Sequence, residues 1–224
     1  MTSQSPAKKL DVLPAGIDPA VLEVLASRVC HDLISPVGAV HNGVEFLQET
    51  GIEGGADAIA LIAHSAQQAS AKLQIFRLAY GAGGRDPNIK PEDVKKAFAT
   101  LVDADGKIKQ NWDPHSIKFD SVPLGFCKML TGTLMLAQEC LPKGGIIAVA
   151  QDGPNGRVGV IATGTDAAPR SQVREALARE LAVSDLDPRL VHPYVLGVLA
   201  AQYGFSLTIA EAAAGRVTFH LARA

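Results

Sequence analysis

One histidine in this chain stands where an imidazole could act as a nucleophile. His31 is followed by Asp32 and lies one helical turn from Arg28 and Ser35, so a ring nitrogen and a carboxylate able to orient it share one stretch of sequence. Surface histidines without a role are common, and position alone favours that plainer reading. Pro36 weighs against it: a proline inside an unbroken helical pattern costs about 3 kcal/mol and removes a hydrogen bond, so something local favours the bend. Cys30, beside the histidine, falls near the edge of the apolar stripe and reads as a buried, inert thiol. His41 and His64 lie on helix flanks, and His115, His192 and His220 are scattered without metal spacing, which gives all five structural or solvated roles.

The elements that position His31 are two helices. Asp18-Pro19 supplies a cap and a proline for the first turn, and Leu22, Leu25, Val29, Leu33, Val37, Val40, Val44 and Leu47 then recur at intervals of three and four until Thr50-Gly51. After a turn at 51–55, Ile59, Ile62, Ala66, Ala69, Leu73, Phe76 and Tyr80 repeat that spacing. With the first stripe facing inward, His31 falls about 180° away, on a face shared with Ser27, Arg28, Ser35, Gly38, Asn42 and Glu45. Antiparallel pairing brings residues near 75 beside residue 31. The expected partner-binding surface is therefore Arg28, Ser35, Gly38 and Asn42 with Ala71, Ile75 and Leu78, the last two as an exposed apolar patch or, alternatively, as part of a dimer interface. Two helices of about 40 Å leave part of their own stripes uncovered, and a homodimer closing a four-helix bundle would cover them.

Beyond Gly81–Gly84 and Asp86-Pro87, which read as a flexible linker, the pattern becomes mixed. Helices are expected at 91–102, 122–141, 169–182 and 188–203, and strands at 107–112, 145–151, 157–163, 206–211 and 216–221. That order indicates an α+β layer with helices on one face of a sheet. The division is a disordered N-terminus (1–16), a helical hairpin (17–82) and a second domain (88–224). A net charge of −2 on 224 residues provides no field for nucleic acid or an anionic membrane. Three widely separated cysteines fit neither a disulfide framework nor a zinc pattern. No signal peptide or 18-residue apolar run is present, and the compartment expected is the cytoplasm.

The run Cys30-His31-Asp32-Leu33-Ile34-Ser35-Pro36 resembles the H-box of sensor histidine kinases, with Ile34 where a basic residue is usual. That resemblance implies that His31 is the phospho-acceptor, that Asp32 polarises or deprotonates it, and that the hairpin dimerises. Residues 134–145, a helix followed by Pro142 and Gly144-Gly145, are similar to the ATP-binding domain of those kinases. Leu136 and Gly132 stand where that family has its asparagines, and Ala162-Thr163-Gly164-Thr165-Asp166 stands where its adenine-binding aspartate motif lies. Leucine does not coordinate a hard cation. The combination resembles the ChpT family of histidine phosphotransferases over residues 18–224, and implies a degenerate, Bergerat-type α/β sandwich behind the hairpin. By that resemblance His31 takes a phosphoryl group from the receiver domain of a CckA-type hybrid kinase and passes it to response regulators of the CtrA and CpdR type. No cofactor of its own is implied, with Mg2+ supplied by the partner receiver. The alternatives are an ATP-dependent histidine kinase with an atypical pocket, and a non-catalytic dimeric adaptor for response regulators.

Overall fold

The computed structural model describes residues 16–51, 55–82, 86–103, 106–153, 157–210 and 215–224. The disordered N-terminus expected at 1–16 thus lies almost wholly outside the described residues, as do 83 and 84 of the linker.

Helix α1 (Pro19–Thr50) begins where the sequence signals it. Asp18 accepts the Ala20 N–H at 2.9 Å, Pro19 occupies the first turn and Gly51 ends the helix at φ 78°. Helix α2 (Ala56–Ala79) returns alongside it. The face α1 turns inward matches the expected stripe in part, with Val29 and Leu33 packed on the main core and Leu25 on the cluster around α6. Val21, Pro36 and Gly43 are the buried residues of α1, whereas Leu22, Val37 and Val44 are exposed, as are Ile59 and Leu73 on α2. A Cβ at Gly43 would lie 2.6 Å from Ile62 Cγ1, so the two helices meet closely at a small residue, and Leu22, Val37 and Val44 stay outside that contact. Cys30, expected to be buried, is exposed on that outer side.

The second half comprises α3 (Pro91–Asp103), β1 (Ile108–Gln110), α4 (Phe126–Glu139), β2 (Gly145–Gln151), β3 (Val158–Thr163), α5 (Val173–Ala178), α6 (Val191–Tyr203), β4 (Phe205–Ala210) and β5 (Arg216–Arg223). The sheet order is β1-β2-β3-β5-β4, with β1 and β2 parallel across the α4 crossover and the other pairs antiparallel. Alternation puts Ile147, Ala162 and Val217 in one row facing the helices and Val149, Val160 and Phe219 in the next. Helix α5 is shorter than expected because Gln172 and Arg179 bracket it in left-handed conformations.

The hairpin is built into this layer. Ile75, Phe76 and Ala79 belong to the same core as Phe98, Leu130, Leu134 and Phe219, and Val21 packs with Val191 and Val195 of α6. The buried ammonium of Lys128 on α4 donates to the carbonyls of Ala79 at 3.0 Å and Gly81 at 2.7 Å, satisfying the end of α2. Gly132 of α4 sits against α6. A Cβ there would be 2.7 Å from Leu196 Cδ1, and Leu136, one turn on, is also in the dry interior.

His192 bridges these elements. Its Nδ1 accepts from the Tyr80 hydroxyl at 2.7 Å and its Nε2–H donates to the Gly132 carbonyl at 3.0 Å. Complete burial, and secondarily the Arg28 charge, push its pKa down to about 3. The unfolded chain takes up a proton below about pH 6.5 that the folded state refuses, so this contribution is full above pH 6.5 and is lost as the pH falls toward 3. Between pH 7 and pH 5 the expected loss of stability is about 2 kcal/mol. Urea unfolding at both values should show the wild type losing that much more than His192→Gln; equal pH dependence in the two proteins would count against the assignment.

Candidate functional site

His31 stands on the outer face of α1 with 83% of its side chain exposed. Its Nδ1 is 3.4 Å from Asp32 Oδ1. A carboxylate on that side favours the tautomer protonated at Nδ1, which leaves the lone pair of Nε2 facing solvent. This is the arrangement a nitrogen nucleophile requires. Asp32 in turn lies 4.0 Å from Arg28 Nε, one turn back.

Arg28 anchors the site to the rest of the molecule. Its side chain is 12% exposed, and the guanidinium pairs with Glu139 at the end of α4 and donates from Nη1 to the Pro188 carbonyl at 3.0 Å. Burial pushes the Glu139 carboxyl up, and the adjoining Arg28 guanidinium opposes that shift. The pair therefore fixes the His31 turn against two parts of the C-terminal layer, the end of α4 and the loop before α6. Asp187 shapes that loop by accepting from the Arg189 and Leu190 N–H groups, both at 2.8 Å.

Between helix and loop runs a groove of about 620 Å³, lined on one wall by Ser27, Arg28, His31 and Asp32 and on the other by Glu139, Arg170, Asp187, Pro188 and Arg189. The lining holds three arginines and three carboxylates, with Arg28 already paired to Glu139, so Arg170 and Arg189 are the cations that the far wall presents to a phosphoryl group. Sequence reasoning missed Glu139, Arg170, Asp187 and Arg189. They come from segments more than 100 residues away from His31, and no local spacing links them to it.

Of the other expected surface residues, Ser35 and Asn42 are exposed and Gly38 is half-buried with open space where a Cβ would stand; at intervals of four, three and four they continue the His31 ridge along α1. Ala71, Ile75 and Leu78 do not join it. All three are buried within the single chain, Ile75 in the main core with residues of α3 and α4. The apolar patch expected there is an intramolecular seam and not a docking surface. Among the described residues, no group of three or more His, Cys, Asp or Glu is placed to hold a metal ion, and no helix is long and apolar enough to cross a membrane.

Residues 91–215 match the family model described as histidine phosphotransferase C-terminal domain. The protein phosphotransferase ChpT of Brucella abortus (strain 2308) is 33% identical over 189 residues, spanning 83% of this chain and 88% of that protein. A solved bacterial phosphotransferase superimposes with a TM-score of 0.76 at 30% identity, covering 94% of this chain and all of that one.

Proposed function

From the premise that the chain belongs to the histidine phosphotransferase family, we propose that it is a phosphorelay shuttle carrying its phosphoryl group on His31. The single observation that carries this reading is the exposed His31, with Asp32 beside its Nδ1, set at the mouth of the groove whose far wall bears Arg170 and Arg189. The donor is the aspartyl phosphate of a receiver domain, of the CckA type, and the acceptors are receivers of the CtrA and CpdR type.

In the forward step the Nε2 lone pair forms the N–P bond while the P–O bond to the receiver aspartate breaks and that carboxylate leaves. The ring, already protonated at Nδ1, becomes cationic, and Asp32 balances the new charge. Transfer onward reverses these changes on a second receiver. The receiver brings the Mg2+ that neutralises its own phosphate; this chain supplies the imidazole, its orientation and the groove that seats the partner. The ridge of Ser35, Gly38 and Asn42 and the wall formed by Arg170 and Arg189 are the two halves of that seat.

The exposed apolar side chains of α1 and α2, Leu22, Val37, Val44, Ile59 and Leu73, support a homodimer in which two hairpins close a four-helix bundle. The close packing of Gly132 on Leu196 and the burial of Leu136 support a C-terminal layer that serves as a scaffold and takes no nucleotide.

The test is label transfer. Incubated with Mg2+ and a phosphorylated hybrid-kinase receiver, the protein is expected to acquire acid-labile label, and to acquire none from Mg2+ and ATP alone. Label from ATP alone would favour a kinase, and label from neither source would favour an adaptor.

A further inference from the structure

We propose that Lys72 is a positioning residue for phosphoryl transfer, holding the turn of α1 that carries His31 by taking the one helical carbonyl that Pro36 leaves without a partner. The inference rests on the reading of His31 as the phospho-acceptor.

In an unbroken helix the carbonyl of residue 32 accepts from the N–H of residue 36. Pro36 has no N–H, and its ring crowds the carbonyl four residues back, so the Asp32 oxygen is both orphaned and pushed outward. Pro36 is buried on the α2 side of α1, away from free solvent. The oxygen is nevertheless paired, because Lys72 Nζ reaches across from α2 and donates to it at 2.7 Å. This charged donor to a neutral carbonyl is stronger than the amide bond it replaces.

The location of that bond gives it a consequence beyond packing. Asp32 is the residue after His31, and its carboxylate is what faces Nδ1. Fixing the Asp32 peptide fixes the His31–Asp32 relation and the Asp32–Arg28 relation together. The proline bend, which by itself would loosen this turn, is thereby turned into a defined geometry tied to α2. Lys72 lines a small cavity with Arg28, Asp32 and Glu139, so the three anchors of the His31 turn adjoin one another. In-line transfer is sensitive to displacement of the attacking atom by about 1 Å.

The decisive comparison is Lys72→Met in two backgrounds, measured with a phosphorylated receiver and the full-length protein. Against wild type, Lys72→Met should lower the transfer rate at saturating receiver about tenfold and leave the half-saturating receiver concentration within about twofold. Lys72→Arg, which keeps a charged donor, should recover most of that loss. Pro36→Ala restores an N–H at position 36 that can take the Asp32 carbonyl, so adding Lys72→Met to it should cost less than about threefold. An equal penalty in both backgrounds, or a change confined to half-saturation, would overturn the proposal.

If Pro36→Ala alone is inactive, hydrogen exchange in the wild-type background decides. Lys72→Met is expected to speed exchange of the amides of residues 31 to 35, and unchanged protection there would also overturn it. His31→Ala keeps the two claims apart. Label on that variant removes the acceptor reading, whereas a silent His31→Ala beside a Lys72→Met protein of wild-type rate removes Lys72 alone.

Discussion

Alanine at position 31 is expected to abolish uptake of label from a phosphorylated receiver, by at least about a thousandfold, because on the proposed reading it removes the attacking atom. The same substitution leaves the fold intact. His31 projects from α1 into solvent, its ring contact is with the adjacent Asp32, and exposed changes of this kind shift stability by no more than about 0.5 kcal/mol. Receiver affinity should change little, since the groove wall of Arg170 and Arg189 and the ridge through Gly38 are untouched. The two measurements together distinguish the readings. A protein that binds receivers and has lost transfer is a shuttle disarmed; one that binds and keeps its cellular output is an adaptor. Persistent label on the alanine variant would move the acceptor to another exposed histidine of the hairpin, His41 or His64.

The second large effect falls on stability. Glu139→Ala leaves the Arg28 guanidinium largely buried and short of its carboxylate, and removing one partner of such a pair costs about 3 kcal/mol or more. Arg28→Met should cost less. Arginine has no neutral form at accessible pH, whereas the Glu139 carboxyl, already pushed up by burial, can take a proton when the cation opposite it is gone. The apolar pair Arg28→Met with Glu139→Leu is expected to lie close to wild type in stability while losing the anchor of the His31 turn. Urea unfolding of the four proteins at pH 7 checks the order. Equal costs for the two single variants would mean that the carboxyl does not protonate, and that the pair is wetter than its burial implies.

Much of this architecture is written locally in the sequence. The Asp18 cap, the Gly51 stop, the limits of β2 and the final hairpin follow from caps, glycines and alternation, each of which acts over a few residues. His31, Asp32 and Pro36 share one helical stretch, and their relation is legible for the same reason. What was not legible is which apolar face of a helix turns inward when it has two. Both α1 and α2 carry a second apolar face, and the close approach at Gly43 is one contact that spacing alone does not reveal. Ala71, Ile75 and Leu78 therefore read from the sequence as surface or dimer-interface residues, and the fold of a single chain buries them. The far wall of the groove was hidden for a different reason: Glu139, Arg170 and Arg189 reach the site only through the tertiary arrangement of α4 and two loops. One distant partner did leave a trace. A proline at 36 orphans the carbonyl at 32, and a buried acceptor calls for a donor from elsewhere, which is the place Lys72 fills.

The run of core side chains from α2 into the C-terminal layer, with Lys128 closing the end of the helix, has a consequence for dissection and inheritance. A hairpin cut away at residue 82 would bare Ile75, Phe76 and Ala79 to water and lose the ammonium that caps its last turn. The helices that carry His31 are thus not a cassette that can be grafted onto another scaffold. Sequence change at the seam must be matched from both sides, so the two halves are constrained to evolve as one piece.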